Sequence, residues 1–336
     1  MKKLIIAAAL AAVFGLAGCN LGTSGFGTIT IPGEWPPSPP SNYRPGDRWP
    51  IGPEDLDMGE VRLGGGTFLM GSPPNEIGRQ ANEGQQRWVT ISADFWISET
   101  PVTQAQWVSV MGSNPSFHTT PVPGEAQGRR PVEMVSWFDV LVFANLLSEQ
   151  ERFTPAYMIN GSTDPVDWGP VPTGLSHPNF EAWNAVQIVP GSTGFRLPTE
   201  AQWEFAARAG TTTAFSDGTQ DWNDQAALDR IGWFNFNNGG VTREVMQKEP
   251  NPLGLYDIHG NVAEWVWDRA GDPPTSQAQT DPAGPDSGNN RVVRGGSWNT
   301  ASATAPAPAL TGRSAYRDHP ASFLRFSASG FRLVRP

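Results

Sequence analysis

One stretch of sequence decides the fold of this chain: Asn251-Pro252-Leu253-Gly254-Leu255-Tyr256-Asp257-Ile258-His259-Gly260-Asn261-Val262-Ala263-Glu264-Trp265. It places turn-forming Asn, Pro and Gly residues among short apolar runs. The whole region from residue 211 to residue 336, in which this stretch lies, has the same mixture. Such sequence lacks helical periodicity and is typical of loops joined by short strands. We therefore expect the C-terminal half to be rich in loops.

Three helices are predicted upstream of this stretch. Capping-box patterns, in which Ser or Thr is followed three residues later by Gln or Asp, precede apolar runs at 107–111, 140–147 and 203–209. In the first two runs the apolar residues recur on one helical face, so we expect both helices to pack on the core. The sequence thus predicts an α+β domain with about three helices and a few short strands.

The strands are predicted from short apolar or alternating runs at 61–63, 67–70, 87–91, 291–294 and 330–334. Three glycines at 64–66 separate the first two runs. Because glycine favours tight turns, these two runs are predicted to form a hairpin.

The charge of the chain excludes one class of partner. The chain has 336 residues and a formal net charge of -10. Nucleic acid and anionic bilayer surfaces would both repel such a protein. We therefore expect no nucleic-acid partner.

The N-terminus is predicted to be a lipoprotein signal. A positive start precedes an apolar run at 4–14, and Leu16-Ala17-Gly18-Cys19 resembles a lipobox. By that resemblance residues 1–18 are removed and Cys19, the only cysteine, carries acyl chains. An ordinary signal peptide with an incidental cysteine is the alternative. The prediction is a lipid-anchored protein of the bacterial cell envelope, exposed at the surface of the outer membrane.

Residues 19–58 are predicted to be a tether. They are dense in Gly, Thr, Ser and Pro and include five residues in which Pro predominates, at 36–40. Such a composition buries too little apolar surface to fold and favours an extended chain. The folded domain is therefore predicted to span residues 59–336.

Motifs along residues 60–336 resemble the formylglycine-generating enzyme family, which is also called the sulfatase-modifying factor family. They include, in order, Thr67-Phe68-Leu69-Met70-Gly71-Ser72, Phe195-Arg196-Leu197-Pro198-Thr199-Glu200, the stretch 251–265, Arg294-Gly295-Gly296-Ser297-Trp298 and Gly330-Phe331-Arg332-Leu333. This resemblance implies a C-type-lectin-like α+β fold with little regular secondary structure.

The resemblance does not extend to the catalytic residues of the family. Formylglycine-generating enzymes bind copper through a C-terminal pair of cysteines, and this sequence has no cysteine between Trp298 and Pro336. Sulfoxide synthases with a related domain bind iron through closely spaced histidines, whereas the four histidines here are scattered. We therefore predict no catalytic residue and expect that the protein is not an enzyme.

A structural calcium is the one cofactor that the resemblance implies, and none is expected to be required. The family often holds calcium in this region, and Asp257, Gly260, Val262 and Glu264 match its ligand positions. Carboxylate and backbone carbonyl oxygens suit calcium. The alternative is that Asp257 caps a turn and Glu264 pairs with an arginine.

The segment 299–330 has an unusual composition. It contains no Lys, Glu, Gln, Met or Trp, although these types are common earlier in the chain. Every residue type present can be encoded by a codon that ends in a pyrimidine. This pattern resembles the variable region of proteins diversified by retroelements, a group that includes treponemal variable lipoproteins, in which adenines of template asparagine codons are replaced at random.

That resemblance predicts which residues contact a ligand. The predicted variable positions are Thr300, Ala301, Ser302, Thr304, Ser314, Tyr316, Asp318, His319, Ser322, Phe323, Leu324, Phe326, Ser327 and Ser329. Fixed residues would form the frame between them: Arg313, Ala315, Arg317, Pro320, Arg325 and 330–332. The alternative is that Phe323, Leu324 and Phe326 are core residues of a strand.

The sequence therefore predicts a surface-displayed, non-enzymatic lipoprotein that binds protein or glycan ligands through a diversified C-terminal site, and we expect it to be monomeric. Rigid scaffolds suit exchangeable binding surfaces because little order is lost on binding. Two alternatives remain. One is an exported modifying enzyme or oxidoreductase with an unrecognised site, and the other is an assembly lipoprotein without a diversified site.

Overall fold

Capping boxes begin the three predicted helices. The structure is a computed structural model that describes residues 48–49, 58–271, 275–299 and 309–336. Its helices are α1 (Gln104–Met111), α2 (Trp137–Gln150), α3 (Phe180–Asn184), α4 (Glu200–Arg208) and α5 (Gln225–Ile231). The side chains of Thr103, Ser136 and Thr199 accept hydrogen bonds from the third residue of α1, α2 and α4.

The described residues therefore contain five helices where the sequence predicted about three. The additional helices α3 and α5 have five and seven residues. Helices of one or two turns carry too few residues to show an apolar period, so the prediction missed them.

The described residues also contain fourteen short strands. They are β1 (Arg48–Trp49), β2 (Glu60–Leu63), β3 (Gly66–Met70), β4 (Arg87–Ile91), β5 (Phe95–Ser98), β6 (Tyr157–Met158), β7 (Gln187–Ile188), β8 (Gly232–Trp233), β9 (His259–Gly260), β10 (Ala263–Arg269), β11 (Gln279–Thr280), β12 (Arg291–Arg294), β13 (Ser329–Phe331) and β14 (Val334–Arg335). The mixed α+β, loop-rich architecture predicted from the sequence is confirmed.

The strands form five small sheets. Their orders are β1-β2-β5-β14, β12-β10-β13, β11-β4-β3, β6-β7 and β8-β9. In the first sheet β14 pairs antiparallel with β5, so the C-terminal strand joins strands from the start of the domain. In the second sheet the central β10 pairs antiparallel with β12 and parallel with β13. The C-terminal 8 residues thus contribute to two sheets.

The predicted hairpin of residues 61–70 is wrong. Both runs are strands, but β2 pairs with β5 whereas β3 pairs with β4. A Cβ atom on Gly65 would approach the carbonyl oxygen of Ile91 to 2.7 Å. The glycine run therefore lets the chain pass close to the end of β4 between two sheets, instead of closing a turn within one.

The core lies around α2 and is built largely of aromatic residues. Trp107 of α1 stacks on Phe143 of α2, with ring centroids 5.1 Å apart, and both meet the edge of Phe331. The indole nitrogen of Trp137 donates to the carbonyl of Val266 at 2.9 Å, and that of Trp265 donates to Val135 at 3.0 Å. Trp137 and Trp265 thereby fill the core with their indole N–H groups paired.

The stretch 251–265 folds as a series of sharp turns that lead into β10. Asp257, Gly260 and Asn261 all have positive φ, of 51°, 84° and 57°. A Cβ atom on Gly260 would lie 2.4 Å from the carbonyl oxygen of Trp233, so this position requires glycine. The Asn261 side chain donates to Asp257 Oδ1 at 3.1 Å and accepts from the Arg243 amide.

A buried carboxyl group, Asp268, should make stability depend on pH. Burial, together with the neighbouring Glu200 carboxylate, raises the pKa of Asp268 to about 7. The folded state then keeps a proton that the unfolded state loses, so the stabilising contribution is complete below about pH 4 and is lost as the pH rises through about 7. We expect Asp268→Asn to remove this dependence, because an amide does not titrate. The variant should still fold, since the amide oxygen can accept the hydrogen bond from the Glu200 backbone N–H.

Urea unfolding between about pH 4 and pH 8 measures the effect, which should be on the order of 2–4 kcal/mol across this range. The control is Asp286→Asn, since Asp286 is exposed. Parallel pH profiles for the wild type and Asp268→Asn would contradict the prediction.

Candidate ligand-binding cleft

The C-terminal segment, residues 309–329, is held along β12. Val293 and Asp318 exchange backbone hydrogen bonds at 3.0 and 3.2 Å, and the Arg291 amide donates to the Pro320 carbonyl. The Arg294 guanidinium donates to the carbonyls of Ser314 at 2.7 Å, Ala315 at 2.9 Å and Tyr316. These contacts fix the backbone of the segment without using its side chains.

Three arginines of the segment, Arg313, Arg317 and Arg325, pair with carboxylates elsewhere in the domain. We call them the arginine frame. Arg313 is fully buried and pairs with Glu76 and Glu83. Arg317 forms a two-pronged pair with Glu200 at 2.8 and 2.7 Å.

The third member of the frame joins the segment to α2. Arg325 pairs in the same two-pronged way with Asp139, at 2.7 Å for both bonds. Such pairs fix orientation as well as position. The residues that the sequence predicted as fixed therefore include the ones that hold the segment to the domain.

Side chains between the frame residues line a cleft of about 240 Å³. Tyr316, Asp318 and Phe326 contribute from the segment, and Val293, Gly296 and Ser297 contribute from β12 and the turn after it. Phe326 is 41% exposed, which is unusual for a large apolar residue. The cleft thus combines an apolar surface with polar groups, as ligand sites usually do.

Two ionisable groups of the segment have shifted pKa values: Tyr316, which lines the cleft, and His319, which does not. Burial and the nearby Asp318 raise the pKa of Tyr316 to about 12, so its phenol remains protonated. Burial lowers the pKa of His319, which favours the neutral imidazole. Among the described residues that line the cleft, Asp318 supplies the one carboxylate. The arrangement offers hydrogen bonds and apolar contacts to a ligand.

The predicted variable residues fall into four groups, which are exposed, half-buried, buried and outside the described residues. Asp318 and Phe326 are exposed, while five others are half-buried: Tyr316, His319, Phe323, Leu324 and Ser327. Thr300, Ala301, Ser302 and Thr304 lie outside the described residues. The cleft therefore brings together part of the predicted set.

Two predicted contact residues need correction, because Ser314 and Ser322 are both buried at 0% exposure, and Ser329 is buried at 5%. The amides of Ser314 and Ser322 donate to the carbonyls of Ala214 and Asn289, and these bonds turn the residues inward. In this arrangement Ser314 and Ser322 cannot contact a ligand, whereas Ser329 still lines the cleft floor. The small serine side chains let the segment pack closely against the domain. The composition of the segment does not show which of its serines are buried in this way.

The alternative that Phe323, Leu324 and Phe326 belong to a core strand is wrong, because none of the three lies in a strand; Phe323, which is half-buried in a turn, is the one that contacts the core. Its ring packs against the core and lies edge-on to Phe180, at a centroid distance of 6.4 Å. Phe326 and Leu324 do not belong to the core clusters. The sequence also missed Val293, Gly296 and Ser297, although the motif Arg294–Trp298 was a signal for the turn that carries two of them.

The four predicted calcium ligands do not fit a calcium ion in this structure. Glu264 accepts two hydrogen bonds from Arg332, at 2.7 and 2.8 Å, and a third from Trp203 at 2.6 Å. Asp257 accepts from the Met246 amide and from Asn261. A cation bound to Glu264 would have to displace a buried guanidinium, so the geometry agrees with the alternative of a turn and an ion pair.

Gly260 and Val262, the other two predicted ligands, are buried beside these carboxylates, and the Gly260 amide donates to the Gly295 carbonyl. Among the described residues, no group of three or more His, Cys, Asp or Glu side chains is arranged to hold a metal. In the same part of the chain, no helix has the length and apolar character needed to cross a membrane.

The frame and the exposed side chains should differ in their effect on stability. Arg313→Ala should lower the free energy of unfolding by about 3–5 kcal/mol, because it leaves two carboxylates buried without their partner. Phe326→Ala should lower it by about 1 kcal/mol or less, since the ring is already partly in water. Urea unfolding of both variants measures the difference, and comparable losses would contradict a division between frame and exchangeable residues.

Comparison with known proteins supports the motifs found in the sequence. Residues 53–336 match the Sulfatase-modifying factor enzyme 1-like domain family. The chaperone protein LppX of Paenibacillus barcinonensis is 30% identical over 323 residues, covering 91% of this chain and 93% of LppX. The formylglycine-generating enzyme of Streptomyces coelicolor is 30% identical over 286 residues, covering 78% of this chain and 84% of the enzyme.

A solved structure confirms the fold and the resemblance to a treponemal variable protein. Treponema denticola variable protein 1 superimposes with a TM-score of 0.72 at 34% sequence identity, covering 86% of this chain and 99% of that protein. The fold is therefore the α+β, C-type-lectin-like fold of the formylglycine-generating enzyme type. With its matched region extending over residues 53–336, the chain belongs to the Sulfatase-modifying factor enzyme 1-like domain family.

Proposed function

We propose that this protein is an envelope lipoprotein that binds protein or glycan ligands, without catalysis, at the cleft formed by its C-terminal segment. The observation that carries the proposal is that, within residues 313–326, some side chains hold the segment to the domain and others line the cleft. Arginines at 313, 317 and 325 point inward to carboxylates, while Tyr316, Asp318 and Phe326 line the cleft. The side chains that line the cleft can be exchanged while the three arginines keep the segment in place.

Diversification by a retroelement is part of this proposal. It is supported by the composition of residues 299–330, whose residue types can all be encoded by codons that end in a pyrimidine, and by the similarity to Treponema denticola variable protein 1. A binding surface that changes between generations needs a scaffold that does not respond to those changes. The ion pairs of the arginine frame provide such a scaffold because their partners lie outside the segment.

Aromatic and polar side chains around the cleft suit macromolecular ligands. Tyr316 and Phe326 offer large contact areas with few rotatable bonds, and Asp318 offers an adaptable polar contact. Both protein and glycan surfaces present groups of these kinds. The proposal therefore names both classes and gives no role to a metal.

The similarity to LppX favours a second candidate, an assembly or chaperone lipoprotein without a diversified site. In that case the cleft would bind one client and its lining residues would be constant. The two candidates therefore differ in whether the cleft-lining residues vary within the species. An exported modifying enzyme is a third interpretation, which stoichiometric copper or iron in the purified protein would favour.

Sequencing the gene in sister isolates tests the proposal. We expect substitutions to concentrate at residues that face the cleft or the solvent, among them Tyr316, Asp318, His319 and Phe326. The arginine frame should stay constant, because loss of Arg313 or Arg317 leaves a buried carboxylate unpaired and loss of Arg325 removes both bonds to the half-buried Asp139. A reverse transcriptase gene and a near-identical template repeat should lie nearby. Identical cleft residues in all isolates, with neither element present, would favour the assembly candidate.

The lipid anchor has its own test. Expressed in a bacterial host, the full chain should enter the detergent phase on Triton X-114 partitioning, because acyl chains on Cys19 supply the membrane affinity. Cys19→Ala should move the protein to the aqueous phase, whereas the neighbouring Asn20→Ala should not. Equal partitioning of both variants would show that Cys19 is not the anchor. Protease treatment of intact cells then tests surface exposure.

A further inference from the structure

A second cavity lies next to the C-terminal segment and is distinct from the cleft. Tyr316 and Asp318 line the cleft, whereas Arg317 between them lines this second cavity, which has a volume of about 440 Å³. Its inner wall is formed by Arg87, Glu200, Asp268 and Arg317, all of which are buried. Its rim is formed by exposed residues, Gln279 of β11 and the loop residues 283–285. The cavity is therefore open to solvent above a strongly charged interior.

Arg87 is the unusual residue of this cavity. It is only 7% exposed, and its hydrogen bonds go to Gln279 Oε1 at 3.1 Å and to the sulfur of Met70 at 3.4 Å. Among the described residues, no carboxylate lies within ion-pair distance of it. Burial is the main cause of the lowered pKa of Arg87. Glu204 and Glu200 attract the guanidinium from beyond ion-pair distance, and this attraction does not offset the effect of burial. An anion placed directly beside such a desolvated cation would be stabilised.

The carboxylates near Arg87 offset its charge only in part, because Glu204 is paired with Arg208 and Arg294 and Glu200 is paired with Arg317. Both oxygens of Glu200 accept from Arg317. Arg269 donates to the backbone carbonyls of Gly288 and Asn184 and forms no ion pair with a described carboxylate. Asp268 accepts from the Glu200 amide at 2.6 Å, and with a pKa of about 7 it is partly neutral near physiological pH. The cavity therefore carries a surplus of positive charge in a protein whose net charge is -10.

We propose that this cavity binds a small ligand that carries an oxyanion, a carboxylate or a phosphate, with Arg87 as its ion-pair partner. The planar guanidinium group presents paired N–H donors whose spacing matches two oxygens of such a group. Arg269, at the side of the cavity, adds attraction. Asp268 and Gln279 supply hydrogen-bonding partners for hydroxyl groups of the ligand. The volume is in the range of small-molecule sites, which begins at about 300 Å³.

This site uses none of the predicted variable residues. Its Arg317 belongs to the arginine frame, and its other charged residues come from β4, α4 and β10. The ligand would therefore be the same for every variant of the cleft. The inference stands independently of the proposed function, because it rests on fixed residues alone.

Calorimetric titration of the full chain tests the site with three probes. D-glucuronate supplies a carboxylate on a hydroxylated ring, inorganic phosphate supplies the other oxyanion, and glucose is the neutral control. We expect at least one anion to bind with a Kd below about 1 mM, and glucose not to bind. Binding of glucuronate alone would identify a carboxylate site, and binding of phosphate alone would identify a phosphate site.

Variants locate the binding. Arg87→Gln should weaken binding by about tenfold or more, whereas Arg230→Gln, at an exposed ion pair, should leave it unchanged. Phe326→Ala, in the cleft, should also leave it unchanged. If Arg87→Gln does not fold, Arg87→Lys keeps the charge but loses the paired donors, and it should still weaken binding.

Three results would overturn the proposal. They are no binding of either anion up to about 10 mM, equal binding by the wild type and both Arg87 variants, which would indicate an adventitious ion only, and equal binding of glucose.

Discussion

The domain depends on one buried ion pair, between Arg332 and Glu264. Glu264 is on the central strand β10, and Arg332 follows the parallel strand β13. The guanidinium also donates to the carbonyls of Ser98, Glu99 and Tyr256, at 3.0, 3.2 and 2.9 Å. One side chain therefore joins the end of the chain, the end of β5 and the turns of the stretch 251–265. Since both charges are buried, neither can be removed without leaving the other unpaired in the interior.

The same principle recurs along the C-terminal segment. Arg313, Arg317 and Arg325 each reach a carboxylate that lies far away in the sequence, on the loop at 76–83, on α4 or on α2. The ion pairs and the backbone bonds to Arg294 specify the path of the segment. Apolar packing is therefore not needed to hold most of its other side chains. A loop-rich domain can in this way keep a rigid surface whose lining residues are not part of its core.

The segment also separates two chemically different spaces. Tyr316 and Asp318 belong to a cleft with an exposed aromatic residue, whereas Arg317 belongs to a cavity with unbalanced positive charge. Because successive side chains of an extended segment point to opposite sides, Tyr316 and Asp318 face the cleft and Arg317 faces the cavity. Family membership does not decide the use of either surface, because related domains carry unrelated functions. The charges and side chains present in this chain are what support the two proposals.

The sequence by itself determined the fold class, the capping boxes of α1, α2 and α4, and the strands at 61–63, 67–70 and 87–91, because these features depend on neighbouring residues. It also distinguished Arg313, Arg317 and Arg325 from the residues between them. Only the tertiary structure decided which strands pair, that Ser314 and Ser322 face inward, that Glu264 binds Arg332, and that Arg87 lies buried beside a cavity. These outcomes depend on contacts between residues far apart in the sequence, up to 275 positions for Glu60 and Arg335, which no local pattern records.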